Sequence, residues 1–194
     1  MTRTSAWTAL LLAVAALAAC SSPPKTNFYT LSPAASAPAR ADAKVPYSVA
    51  IGAVRVPESL DRPQMVVRTG ANQLTIAEFE RWAGPLKSEV ALAIAGNLKT
   101  LLGGAGVFTY PQGEGADVNL SVDVQRFDSV LGEAATVEVL WQVRPAKGAP
   151  ISGRSMMREA ADGAGYDAVV AAHGRAFAAV SRDIAAAIRA ARTP

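Results

Sequence analysis

Residues 117–127 read DVNLSVDVQRF, and there Val118, Leu120, Val122 and Val124 alternate with Asn119, Ser121, Asp123 and Gln125. Successive side chains of a strand point to opposite faces, so this segment has one apolar and one polar face. The same alternation returns at 136–145, TVEVLWQVRP, where Val137, Val139, Trp141 and Val143 take the apolar steps. A weaker strand pattern follows at 151–160, ISGRSMMREA. One-sided alternation is the mark of antiparallel sheets with one wet face. The apolar face has to be covered by something else in the chain.

Two segments can cover it. Leu86, Val90, Ala93, Ile94, Leu98 and Leu101 recur at steps of three and four, the spacing of one helical face. Pro85 suits the first turn of that helix, and Gly103-Gly104 end it. After the DGAG turn at 162–165, Val169, Val170, His173, Phe177, Val180, Ile184 and Ile188 predict a long closing helix reaching about Arg192. Upstream, residues 47–57 (YSVAIGAVRVP) read as a strand with Gly52 at a bulge. Residues 64–70 and 72–82 read as a hairpin around Gly70-Ala71-Asn72. The expected fold is α+β: a mostly antiparallel sheet with two amphipathic helices packed on one face. There is no internal repeat.

The first nineteen residues stand apart. Arg3 precedes the apolar run AWTALLLAVAALAA at 6–19, the layout of a signal peptide and too short to cross a bilayer comfortably. Cys20 follows as the only cysteine of the chain, so it has no internal disulfide partner. Leu17-Ala18-Ala19-Cys20 resembles the bacterial lipobox, which implies cleavage before Cys20 and a covalent diacylglycerol and N-acyl lipid on it. Each buried methylene contributes about 0.8 kcal/mol, so two or three chains such as palmitate make a near-permanent anchor. A mature chain with no other thiol suits an oxidising periplasm. Ser21 and Ser22 follow, with no aspartate beside the cysteine. By resemblance to lipoprotein sorting rules this implies the outer membrane, facing the periplasm.

The expected organisation is therefore a signal peptide at 1–19, a lipidated cysteine, tether and linker at 20–46, and a globular domain at 47–194. SSPPKTN at 21–27 is a tether reaching some 20 Å at about 3.1 Å per extended residue. FYTL at 28–31 reads as a short strand, and the alanine- and proline-rich stretch 32–46 as a linker. Docking of that strand onto the domain decides how close the domain sits to its anchor.

Chemistry is sparse. The formal net charge is +3 with no two basic residues adjacent, which excludes a nucleic-acid stripe. His173 is the sole histidine and lies on the apolar stripe of the last helix, where a packed structural histidine is the ordinary reading. No G-x-S-x-G elbow accompanies it, and one histidine with one cysteine cannot complete a zinc site. Glu78 and Glu80 share one face of a strand and read as a solvated face. GGAGVF at 103–108 follows a helix instead of leading into one, so it lacks the context of a phosphate loop. No cofactor, metal or enzyme chemistry is expected.

One stretch does stand out: VPESLDRPQMVVRTG at 56–70, followed by RWAGPL at 81–86. Pro57 and Pro63 bracket Leu60-Asp61-Arg62 and stiffen the turn. In one reading Leu60 plugs the sheet edge, Asp61 caps the turn, and Trp82 and Leu86 are core. In the other, Leu60, Asp61, Arg62, Pro63, Arg81 and Trp82 form a contact surface, and a guanidinium on a pre-ordered loop loses little entropy when a partner binds.

LDRPQMVVR, RWAGPL and the closing AAHGRAFAAVSRDIA resemble the PqiC-like (YmbA-like) family of ABC-type transport auxiliary lipoproteins, over essentially the whole mature chain. The resemblance implies an outer-membrane lipoprotein that works with an MCE-domain periplasmic protein and its inner-membrane transporter in moving lipid or another hydrophobic molecule. It implies outer-membrane lipid as a neighbour, no nucleic acid, and a homo-oligomer to match MCE rings. Of the family's features only Cys20 transfers to a residue here, as lipid attachment point. The alternative is a periplasmic carrier holding lipid in its own pocket, lined by Val118, Leu120, Val122, Val137, Val139 and Phe177.

Overall fold

The two long alternating segments pair antiparallel as β6 (Val118–Val130) and β7 (Ala134–Pro145), and β8 (Ile151–Ala160) continues the ladder along β7. The computed structural model describes residues 24–34, 47–103 and 106–191. The signal segment 1–19, Cys20 and most of the linker lie outside these residues. Val118, Leu120, Val122 and Val124 are all buried, and a register shift between Val124 and Arg126 marks a bulge at Gln125. Beyond it Phe127, Asp128 and Ser129 are buried in succession.

The remaining elements are β1 (Asn27–Tyr29), β2 (Ser48–Ile51), a 3-10 turn at Glu58–Leu60, β3 (Gln64–Gly70), β4 (Gln73–Trp82), α1 (Leu86–Leu101), β5 (Gly106–Thr109) and α2 (Tyr166–Ala190). They form two sheets, ordered β1-β4-β3 and β5-β2-β6-β7-β8. The class is α+β as the sequence predicts, but both sheets are mixed. β1 runs parallel to β4, and β2 runs parallel to both β5 and β6. Alternation encodes a wet face and carries no strand direction. β2, with Val49, Ala50 and Ile51 all buried, is instead the continuous apolar run of an interior parallel strand. It ends at Gly52, whose N–H donates to the Leu120 carbonyl at 2.9 Å. The chain rejoins the sheet only at an isolated bridge between Arg55 and Asp123, so the strand expected over 47–57 is interrupted where the bulge was placed.

Both helices cover the apolar face. All six predicted positions of α1 and all seven of α2 are buried. Pro85 stands one step before α1, at its N-cap. The segment after β1 lies against both helices. Leu31 enters the core, and its N–H donates to Glu89 Oε2 at 3.0 Å. The Ala34 N–H donates to Asn97 Oδ1 at 2.9 Å. This approach needs glycine on α1: a Cβ at Gly96 would stand 2.3 Å from Pro33 Cγ. The strand read at 28–31 thus runs over 27–29, and it is docked on the domain.

Candidate functional site

Pro57 starts the 3-10 turn, and the Leu60 N–H closes onto its carbonyl at 2.9 Å. The Asp61 N–H then donates to the Glu58 carbonyl at 3.2 Å. Asp61 therefore ends the turn through its backbone; its carboxylate meets Lys87 Nζ at 3.4 Å instead of capping. Pro63 delivers its carbonyl to the Trp82 N–H at 2.8 Å, which stitches the loop to the end of β4. The Ala83 N–H reaches the Tyr29 carbonyl at 2.8 Å, so β1 joins the same corner.

These contacts assemble an open groove of about 470 Å³ at one end of the smaller sheet, in which Asp61, Arg62, Pro63, Arg81 and Trp82 come together. Trp82 contributes only an edge; the residue is 4% exposed and packs edge-on against Phe127 at 5.8 Å. Leu60 is not part of the groove. It turns into the core and borders a separate hollow with Arg68 and Asp128. Arg62 makes no ion pair among the described residues, and its Nε is buried without an acceptor. Arg81 Nε donates only to the Glu78 carbonyl, at 3.2 Å.

The sequence reading overlooked two members of this groove, Phe28 and Lys87. Phe28 is paired with Arg81 across the parallel β1–β4 ladder and is 65% exposed. Its neighbours in the strand turn the other way. Tyr29 OH donates to Glu80 Oε2 at 2.5 Å, and Asn27 Nδ2 donates to Glu80 Oε1 at 3.0 Å. Glu80 is therefore no solvated carboxylate: β1 covers it, and Glu78 alone of the pair remains exposed. Burial raises the Tyr29 phenol well above its ordinary range, and the Glu80 carboxylate adds to the shift. The available signal was the alternation Asn27-Phe28-Tyr29, in which two hydrogen-bonding side chains flank an apolar one.

The other polar clusters serve packing. His173 is fully buried, stacked on Phe127 at 3.7 Å with rings 8° apart, and its Nε2 lies 2.9 Å from Ser129 Oγ. Burial pushes the imidazole down to about 3, against a weaker upward pull from Asp128. Asp128 accepts from Arg68 at 2.9 Å and from Arg126. Burial pushes its carboxyl up, but the hydrogen bonds from the two guanidinium groups outweigh that and hold it below the usual carboxylate range. Val118, Leu120, Val122, Val137, Val139 and Phe177 belong to one packed core, each no more than 2% exposed. Among the described residues no three His, Cys, Asp or Glu side chains converge as a metal site requires, and no helix is long and apolar enough to cross a membrane.

The family model described as "ABC-type transport auxiliary lipoprotein component" matches residues 29–185. A crystal structure of an uncharacterized protein superposes with a TM-score of 0.70 at 24% identity, covering 84% of this chain and 98% of that one. A protein from Xanthomonas campestris, of the family DUF330, superposes with a TM-score of 0.68 at 19% identity, covering 82% of this chain and 93% of that one. These likenesses support the fold. No curated protein matches the chain.

Proposed function

We propose a function from one premise: the chain belongs to the ABC-type transport auxiliary lipoprotein family, the PqiC-like and YmbA-like proteins. It acts as a non-catalytic adaptor. Acyl chains on Cys20 hold it on the periplasmic side of the outer membrane. Its folded domain meets the end of an MCE-domain protein, which leads to the inner-membrane transporter, and the cargo is lipid or another hydrophobic molecule. Copies of the chain close into a ring, so that each makes the same contact with the assembly.

The observation that carries this reading is the docking of β1. Only seven residue steps separate Cys20 from Asn27, at most about 25 Å fully extended. From Asn27 onward the chain is bound to the domain through Glu80, Glu89 and Asn97. A short leash on a firmly seated strand suits a protein that must hold a place on a membrane while something docks on it. Such an adaptor needs two contacts, one to the membrane and one to the assembly, and the groove at Asp61–Pro63, Arg81 and Trp82 is proposed as one of them. Packing of the six candidate pocket residues in the core favours docking over carriage of lipid by this chain.

Replacing Cys20 with Ala is expected to move the protein to the soluble fraction and abolish transport. Crosslinking from intact envelopes should recover the MCE-domain protein with the anchored chain but not with Cys20→Ala. Full transport by the soluble variant would refute the adaptor reading.

A further inference from the structure

We propose that the Phe28 groove is the membrane-facing contact, seated on anionic lipid headgroups, and that it fixes the orientation of the domain on the bilayer. This rests on acylation of Cys20, the reading given above.

The length of chain before the groove is the first argument. Phe28 follows Cys20 by eight residues, and β1 is bound in place on both its backbone and its side chains. The groove therefore cannot leave the neighbourhood of the bilayer, whatever the rest of the domain does. Charge is the second argument. Arg62, Arg81 and Lys87 line the groove against one carboxylate, Asp61, which Lys87 already meets. Lys25 stands exposed in the tether itself. The third is the chemistry of the exposed ring. Phe28 projects from a three-residue strand with 65% of its surface in water, between half-buried neighbours that are both hydrogen-bonded to Glu80. An aromatic ring ringed by cations matches the interfacial zone, where apolar groups enter the acyl boundary and cations meet phosphates.

The affinity needed is small. One cation near an anionic surface is worth roughly a five-fold factor. A short tether supplies an effective concentration on the order of millimolar, so three weak cationic contacts and one ring suffice to hold the face down. The contact with the transport assembly then falls on another part of the domain.

The test uses the acylated full chain in vesicles. Because Cys20 is blocked by its thioether, Phe28→Cys introduces a single reactive thiol for a nitroxide label, whose apolar ring takes the place of the phenyl ring. Pro63→Cys, exposed on the same groove, repeats the measurement in an independent variant. Met156→Cys, exposed on β8 of the other sheet, is the control. On vesicles of phosphatidylethanolamine and phosphatidylglycerol, labels at 28 and 63 should be shielded from an aqueous nickel chelate and open to oxygen, while the label at 156 stays in water. Arg81→Gln and Lys87→Gln should each raise the ratio of water-exposed to shielded label at 28 roughly five-fold, as should pure phosphatidylcholine vesicles in larger measure. If the protein floats with the vesicles but the labels at 28 and 63 remain in water, the anchor stands and this proposal falls. If it does not float, the acylation reading falls and takes the proposal with it. If the label at 28 is shielded only after an MCE-domain protein is added, the groove is a protein-docking site and the proposal is overturned.

Discussion

Stability at acid pH should be governed by one side chain. His173 is the chain's only histidine, and the fold holds it fully buried with its imidazole pushed down to about 3. In the unfolded chain a histidine titrates near 6.5. Between those two values the unfolded chain holds a proton that the folded one does not. Stability is therefore complete above about pH 6.5 and falls as the pH drops, by about 1.4 kcal/mol per unit. From about pH 7.5 to about pH 5 the loss works out at about 2 kcal/mol, a large part of what a domain of this size usually has. The carboxyl of Asp128 is held low, so its own contribution is lost only at more acid pH and leaves this window to the histidine. Urea unfolding at a series of pH values measures the slope directly. His173→Gln should remove the slope whatever it does to the stability at neutral pH, since glutamine takes no proton. Ring NMR signals of the folded protein should stay those of neutral imidazole throughout. Equal slopes in the wild type and His173→Gln would refute the reasoning, as would a folded-state titration near neutrality.

Two further outcomes follow from the packing. Gly153→Ala should destabilise by roughly 2 kcal/mol, because a Cβ there would stand 2.2 Å from Trp141 Cζ2 and displace the indole from its 3.0 Å hydrogen bond to Ser155. Urea unfolding checks this, and in a Trp141→Val background the same substitution should be neutral or stabilising. Glu80→Ala removes the acceptor shared by Asn27 and Tyr29, which should weaken β1 docking by about 2 kcal/mol and speed chymotrypsin cleavage at Phe28 about thirty-fold.

The parts of the fold that bury one face were legible from residue spacing alone. Val118 to Val124, Val137 to Val143 and the stripes of both helices obey simple periods, and burial follows those periods. Strand direction was not legible, because alternation marks only a wet face, and the run Val49-Ala50-Ile51 that marks a buried parallel strand is just three residues long. β5 was hidden for a related reason: four residues after a glycine pair are too few to show a period. At the candidate site, Pro57 and Pro63 announced a stiff loop, and Asp61, Arg62, Pro63, Arg81 and Trp82 do meet in space. Leu60 follows the reading that buried it and leaves the contact surface, and Phe28, read only as part of a strand, joins the groove. A 3-10 turn rotates Leu60 inward, and the hydrogen bonds of Asn27 and Tyr29 to Glu80 rotate Phe28 outward. The turn is local, but the outward Phe28 depends on a pairing between residues about fifty positions apart, which no local pattern contains.

That pairing also sets what an anchor at Cys20 can accomplish. With β1 loose, the whole of segment 20–46 would serve as the leash, with a full reach near 95 Å, and the domain would sample every orientation on the bilayer. With β1 docked the reach is about 25 Å, and the direction in which the chain leaves the domain is set by the fold. The contacts that hold this arrangement lie on separate elements: Glu80 on β4, Glu89 and Asn97 on α1, and the glycine at 96 that lets Pro33 lie against the helix. Losing any one leaves the others in place, so the segment resists release far better than a single weak strand of three residues could. The point at which the chain leaves the domain is thus a property of the fold. On the proposed reading a lipid on Cys20 would supply position and the docked β1 would bring the groove to the bilayer, which is the combination an adaptor between a membrane and a fixed assembly requires.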